Sequence, residues 1–434
     1  MDGMDSADAK RPKLSHSNGD NERREESGSH RHNTELGNGV DAESEDLYAD
    51  WANLPEPLVT HILSFLSALE RCRVGATCKN WRESLDNPVL WKTMKCGFFL
   101  PAHGNLLKFV QRYGQFVNNL TVALNQKETV NRMNAIAVFK TLNDLDHIRL
   151  THITVQFKGD NPLFYAGQEF MAVLSSLFEK MGQQPAAYRS IRYLNFREMK
   201  ANFEVDFISH IAASCPQLEY LNILNGMLVC KVSPHSMVDL VQRCEMLKEL
   251  HLYHCSLSND VLRMFTEPGR QQLLKLGVVC RRAEKYGTDI SSEAWSALVL
   301  ANPDLRVDLG FDHTCPYHRI AEILKPEIPV KELHFATYTR ITLEVNLAKM
   351  FYDRTLEKLV VHTKPNAEFE QTLLALVRAC RKLHTLYVYG VLRKEVIEEI
   401  FTLSPEMKSK GSYILKWEME PEPWTVGEED DDGV

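Results

Sequence analysis

Hydrophobic positions in this chain follow two rhythms. Between Leu54 and Trp91 they recur at helical spacing: Leu58, Ile62 and Leu66 stand four residues apart, and Leu63 and Phe65 widen the stripe. Pro55 and Pro57 fit the first turn of such a helix, where a missing N–H costs little. The pattern predicts a second short helix over 70–78 and a third over 80–85, stopped by Pro88 ahead of Leu90 and Trp91. A stretch this short cannot bury so much apolar surface alone. It either joins a larger core or leaves part of its surface open to a partner.

Further on, the rhythm becomes L-x-x-L-x-L, the core of a leucine-rich repeat, in which a short strand buries alternate residues. Copies begin at Val117, Leu145, Ile191, Leu218, Leu247, Leu273, Val330, Leu356 and Leu383, with a poorer alternating copy at Leu305, Val307 and Leu309. From Val117 to Leu383, the poorer copy included, the steps are 28, 46, 27, 29, 26, 32, 25, 26 and 27 residues. The long step contains either an insertion near Lys158, Gly159, Asp160, Asn161 and Pro162 or a repeat too degraded to see. Helical spacing returns between copies, as over 205–213, 235–244, 291–301, 343–351 and 369–380. Strand then helix at a period near 27 predicts an α/β fold. Residues 106–417 would form a repeat solenoid with a curved parallel sheet, behind a helical region at 50–95. Gly97, Pro101 and Gly104 suggest a linker over 95–105, and Ile414, Leu415 and Trp417 suggest a closing strand.

Composition narrows the function. Of 434 residues 44% are hydrophobic and 25% charged, and the net charge of −8 gives no basic excess to draw nucleic acid. No apolar run approaches the roughly 18 residues of a membrane span. The ten cysteines are scattered with no C-x-x-C pair, and the N-terminus is polar, which points to reduced thiols in a nuclear or cytosolic protein. Cys255 and Cys280 read as small apolar core residues. Residues 1–46 are polar, with no aromatic before Tyr48, and predict a disordered tail. Within it Lys10, Arg11 and Lys13 flank Pro12 in a basic cluster that suits nuclear import, or a few solvated charges. Residues 418–434 read as an acidic tail. His313-x-Cys315-x-x-His318 is the densest metal-type cluster but lacks a second ligand pair. No phosphate loop, zinc-protease or nucleophile-elbow motif is present, and nothing calls for a cofactor.

The stretch from Leu54 resembles an F-box, the module by which substrate receptors of SCF-type ubiquitin ligases dock on a Skp-type adaptor. The marks are Leu54-Pro55, Glu56, Leu58, Ile62-Leu63, Phe65-Leu66, Cys78, Trp81-Arg82, Pro88, Leu90 and Trp91. Three positions depart from the pattern: Ser67-Ala68 stands for the usual Asp-Pro, Arg71 for a leucine, and Thr77 for the hydrophobic residue before the cysteine. The irregular repeats, with Cys215-Pro216, Cys244 and Cys380 at helix ends, resemble those of F-box-only proteins with degenerate leucine-rich repeats. This likeness covers roughly residues 50–420. It implies a non-catalytic subunit that meets the adaptor through Leu54, Pro55, Leu58, Ile62, Leu63, Leu66, Cys78, Trp81 and Trp91. The adaptor would bring the cullin scaffold and RING subunit, and the repeats would present a protein substrate for ubiquitination and degradation. Nucleus and cytoplasm are the expected locations. A scaffold that binds the adaptor without delivering substrate, or an enzyme with no short motif, are the alternatives.

In L-x-x-L-x-L the leucines point into the stack, so the residues between them face its open side. This places Glu249, His251 and Tyr253, Lys358 and His362, and Thr385, Tyr387 and Tyr389 on that side. Tyrosine is enriched in binding hot spots. Tyr253, Tyr387 and Tyr389, rimmed by His251, His362 and Glu249, are the expected substrate contact, unless they cover neighbouring repeats or the C-terminal tail.

Overall fold

Three short helices open the chain in a computed structural model that describes residues 50–160, 167–203, 206–227, 229–287 and 289–417. Helix α1 (Glu56–Ser64) begins directly after Pro55 and keeps Pro57 in its first turn. Helix α2 (Ala68–Gly75) starts two residues before the expected position. A capping box sets that start: the Ser67 hydroxyl accepts the Glu70 N–H, and the Glu70 carboxylate accepts the Ser67 N–H at 2.8 Å. Helix α3 (Lys79–Ser84) ends ahead of a 3-10 turn over Pro88–Trp91, whose entry the Asn87 side chain caps by accepting the Val89 N–H.

The first strand follows almost at once. The expected linker at 95–105 is instead β1 (Thr93–Phe98) and a 3-10 turn over Pro101–Leu106. Gly97 hid the strand, yet Met94, Cys96 and Phe98 alternate inward and are buried. Met94 pairs opposite Leu120, so Trp91-x-x-Met94-x-Cys96 is itself a repeat copy with tryptophan in the first leucine position. Eleven strands follow: β2 (Asn119–Asn125), β3 (His152–Lys158), β4 (Tyr193–Glu198), β5 (Tyr220–Asn222), β6 (Glu249–Tyr253), β7 (Lys275–Cys280), β8 (Arg306–Phe311), β9 (Val330–Phe335), β10 (Lys358–His362), β11 (Thr385–Val391) and β12 (Tyr413–Lys416). They form one parallel sheet in strict chain order, the topology of a leucine-rich-repeat solenoid.

Two copies sit differently from the expected register. The match at Leu145 belongs to a helix end: the Leu145 N–H closes onto the Leu142 carbonyl at the C-terminus of the helix Thr129–Asn143. Strand β3 lies further on, with Ile153 opposite Leu120, so its copy begins at Leu150. At β8, Val307 pairs with Leu276 on one side, but Leu309 pairs with Leu333 on the other, a slip of two residues. Leu305, Val307, Leu309 and Phe311 alternate without a break, so either frame keeps the same face buried.

The helices Phe207–Ser214, Pro234–Arg243, Ser292–Ala301, Thr342–Tyr352 and Ala367–Ala379 agree with expectation within two residues. Ser233, Ser291 and Asn366 cap three of them by accepting the N–H three residues on. The 16-residue helix Gln168–Gln183 takes up much of the long step, while Asn161 and Pro162 of the insertion lie outside the described residues. From Ala52 to Trp417 the described residues are one unit, with one apolar core running from Val59 to Leu415. Cys96, Cys215, Cys244 and Cys280 lie in that core, and the Cys244 thiol donates to the Cys215 carbonyl at 3.3 Å. Cys255, expected there too, is only half-buried. No described helix is long and apolar enough to cross a membrane.

Candidate functional site

Helix α1 divides its apolar residues between two faces. Val59 and Leu63, four residues apart, are sealed in the core. Leu58, Ile62 and Phe65 share the other side by their spacing of four and three. Leu58 is 52% and Phe65 76% exposed, and Ile62 is half-buried. Leu54, Leu66, Cys78 and Trp81 are half-buried beside them, and Pro55 is exposed. Leu69 and Val89 add exposed apolar surface that the expected contact set did not include, as did Phe65. Its spacing of seven from Leu58 was the signal for Phe65.

Polar side chains hold this arrangement. Asn80 donates to the carbonyls of Ala52 and Leu54 at 3.0 and 2.8 Å, fixing the entry to α1. Arg71, where the F-box pattern has leucine, donates to the carbonyls of Leu63 (2.8 Å), Ser64 (3.3 Å) and Leu90. It thereby satisfies the Ser64 carbonyl, adds to the Leu66 N–H already on the Leu63 carbonyl, and ties the end of α1 to the 3-10 turn. Burial lowers the Arg71 pKa.

Two expected adaptor contacts are corrected. Leu63 and Trp91 are 0% and 1% exposed, so neither presents a surface. The Trp91 ring stacks on Tyr113 at 4.0 Å, and its Nε1–H donates to the Leu85 carbonyl at 2.6 Å. The position fixed by the strand register makes Trp91 a core residue of the first repeat, which fastens the helices to the sheet.

On the sheet, the residues between the leucines form ladders from strand to strand. Rings run across β3 to β6: His152 to Tyr193 at 5.5 Å, Tyr193 to Tyr220 at 4.1 Å, Tyr220 to His251 at 5.7 Å. Charges follow. His251 Nε2 meets Glu249 at 2.7 Å, Lys275 meets Asp308 at 2.8 Å and Lys358 meets Glu332 at 3.0 Å. A hydrogen bond from His334, with Lys358 beside it, holds the Glu332 pKa at about 2. Burial raises the Asp308 pKa despite Lys275. At the far end His362 stacks on Tyr389 at 4.2 Å, and Tyr338 leans on His362 at 5.1 Å. Tyr338 holds a left-handed φ of +56°, rare for a tyrosine, while its N–H donates to the His362 carbonyl at 3.0 Å.

Glu249, His251, Lys358, His362, Tyr387 and Tyr389 therefore lie on this side, with Thr385 nearly buried. Tyr253 does not. It is 5% exposed, its hydroxyl donates to the Asn225 carbonyl, and the Arg281 guanidinium covers its ring at 4.8 Å. Arg281 is itself held by Asp312 at 2.6 Å. Tyr253 also stands five strands from Tyr389, about 24 Å at ordinary strand spacing, so the structure does not gather the three tyrosines. Lys10, Arg11 and Lys13, with both chain tails, lie outside the described residues. Among the described residues no group of three or more His, Cys, Asp and Glu side chains could hold a metal ion; Cys315 is nearly buried.

Comparison with known proteins agrees with this geometry. Residues 51–96 match the F-box-like family. The chain is 25% identical over 372 residues to human F-box/LRR-repeat protein 8, covering 86% of this chain and 96% of that protein. The mouse protein of the same name is 25% identical over 373 residues, with 86% and 97% covered. Human F-box only protein 33 is 24% identical over 404 residues, with 78% and 72% covered. The chain thus carries an F-box-like domain followed directly by a leucine-rich-repeat stack, and it is similar to proteins named for both parts.

Proposed function

We propose that the chain is the substrate-recognition subunit of an SCF-type ubiquitin ligase. The observation that carries this reading is that the F-box-like match at 51–96 coincides with a helix whose apolar residues Leu58 and Phe65 are left open. In this reading that face, with Leu54, Pro55, Ile62 and Leu66, docks on a Skp-type adaptor, and the adaptor brings the cullin scaffold and RING subunit. The open side of the repeat sheet holds a protein substrate. Catalysis is by positioning: the ubiquitin-carrying enzyme supplies the thioester, and this chain raises the local concentration of target lysines. The basic cluster Lys10, Arg11 and Lys13 directs part of the protein to the nucleus, and replacing all three by alanine shifts a tagged chain toward the cytoplasm.

The test is capture of purified adaptor by the full chain. Losing a central apolar anchor from such an interface costs about 2 kcal/mol or more, roughly thirtyfold in affinity. Leu54→Ala with Pro55→Ala should cost at least that, as should Leu58→Asp, with the circular dichroism of the repeats unchanged. Undiminished capture by both variants would show that this face is not the docking surface. Affinity capture from cells with cullin activation blocked then identifies the substrate.

A further inference from the structure

Beyond the C-terminal ends of β5 and β6 lies a pair of half-buried thiols. Cys230 sits between β5 and the helix Pro234–Arg243, and Cys255 sits in the 3-10 turn His254–Ser256. The two thiols share a hydrogen bond, and Cys230 Sγ lies 3.4 Å from Ser256 Oγ and 3.8 Å from the Val232 carbonyl. Both cysteines are half-buried, within reach of a small solute, whereas Cys215, Cys244 and Cys280 are sealed. The turn bearing Cys255 is anchored: His254 Nδ1 meets the Glu284 carboxylate at 2.6 Å, and both groups are buried. The hydrogen bond from Cys255, with help from Ser256 and the Arg281 charge, lowers the Cys230 thiol from its ordinary value. The same contact raises Cys255. Two neighbouring thiols within reach of solvent can divide the labour of a redox sensor, one sulfur attacking and the other resolving.

We propose that Cys230 and Cys255 form a peroxide-sensitive pair that closes to a reversible disulfide. The Cys230 thiolate attacks one oxygen of hydrogen peroxide. The O–O bond breaks, Cys230 becomes a sulfenic acid, and the departing hydroxide takes up a proton as water. The Cys255 sulfur then attacks the sulfenic sulfur, the S–O bond breaks, and a second water leaves with the Cys255 proton. Two thiols and one peroxide thus give one disulfide and two waters; the sulfurs are oxidised and the peroxide is reduced. Closure to a bond of about 2.05 Å draws the loop after β5 onto the anchored turn. That loop already meets Arg281 through the Met227 carbonyl at 2.6 Å, so the disulfide pins one end of the open sheet face. A thiol reductant reverses the change.

The experiment treats the reduced, full-length chain with hydrogen peroxide. Free thiols are then blocked with iodoacetamide, and the chain is digested without reductant for mass spectrometry. The expected result is loss of alkylation at Cys230 and Cys255 ahead of every other cysteine. A linked peptide pair, lighter by two hydrogens, should appear with it and vanish on adding dithiothreitol. Cys255→Ser should leave Cys230 as a sulfenic acid that dimedone captures, and Cys230→Ser should leave Cys255 free. Separate alkylation of both residues after peroxide, or linkage of either to a third cysteine, would overturn the proposal. The wild-type chain decides the question even where a serine variant fails to fold.

Discussion

Gly277 is small because another residue occupies the space beside it. A Cβ there would fall 2.0 Å from His251 Nδ1. Gly277→Ala should drive the His251 ring off Glu249 and cost about 1–3 kcal/mol, the usual penalty of an overfilled site; thermal unfolding measures it, and an unchanged midpoint would mean that the ring moves aside freely. Glu332 adds a dependence on pH. Its folded pKa of about 2 lies below the ordinary 4.5, so its contribution to stability is full above about pH 4.5 and fades as the pH falls toward 2. Glu332→Gln should therefore flatten the loss of stability over that acid range in a pH series of melts. Tyr389, 44% exposed, should be replaceable by alanine together with Tyr387 at little cost in stability, while substrate capture is lost; a large fall in melting temperature would make them core residues instead. At this scale strand alternation was legible, and it placed Glu249, His251, Lys358 and Tyr389 on the correct side. It failed at Tyr253 because the cover comes from Arg281, 28 residues later and on a different loop. Leu63 and Trp91 show the converse: matching a motif says where a residue stands in a family, not which way its side chain points.

At the scale of the element, Arg71 separates pattern from physics. Restoring the leucine of the F-box pattern looks like a repair, but it would take the Arg71 donor from the Ser64 and Leu90 carbonyls and leave Leu63 with the Leu66 N–H alone. Arg71→Leu should accordingly lower stability by about 1–3 kcal/mol, the cost of leaving such acceptors unpaired. Denaturant melts of the two chains test it, and a gain in stability would show that water satisfies those carbonyls. Ser67-x-x-Glu70 is a capping signal plainly readable in the chain, and it fixes the start of α2 better than the apolar spacing did. The register of β3 was not readable in the same way. Leu145, Ile148 and Leu150 fit the repeat motif, and only the length of the preceding helix shows that the first of them closes a turn. At β8 the uninterrupted alternation offers two frames, and the neighbouring strands decide between them, one on each side.

For the whole molecule, the repeat period sufficed to foretell a parallel sheet in chain order. Its beginning was hidden, because the first copy uses tryptophan, methionine and cysteine where leucines are expected. A fragment covering 106–417 would lose Trp91 and β1, leaving one edge of β2 bare from Asn119 to Leu124. It should melt well below a 50–417 chain, or aggregate through the bared edge. Circular dichroism and size-exclusion chromatography distinguish these outcomes, and equal stability of the two fragments would mean that the helices and the sheet fold independently.

Only Lys92 stands between the Trp91 turn and the first strand, and its carbonyl is already bonded to the N–H groups of Asn118 and Asn119. There is no joint at that point to bend. Under the proposed function, the span from adaptor to cargo would work as a ruler. Which lysines of a bound protein receive ubiquitin would be decided by how far they lie from the grip, more than by the residues around them. A glycine-serine spacer set in after Lys92 would loosen the ruler and blur the pattern of modified lysines while leaving both grips in place.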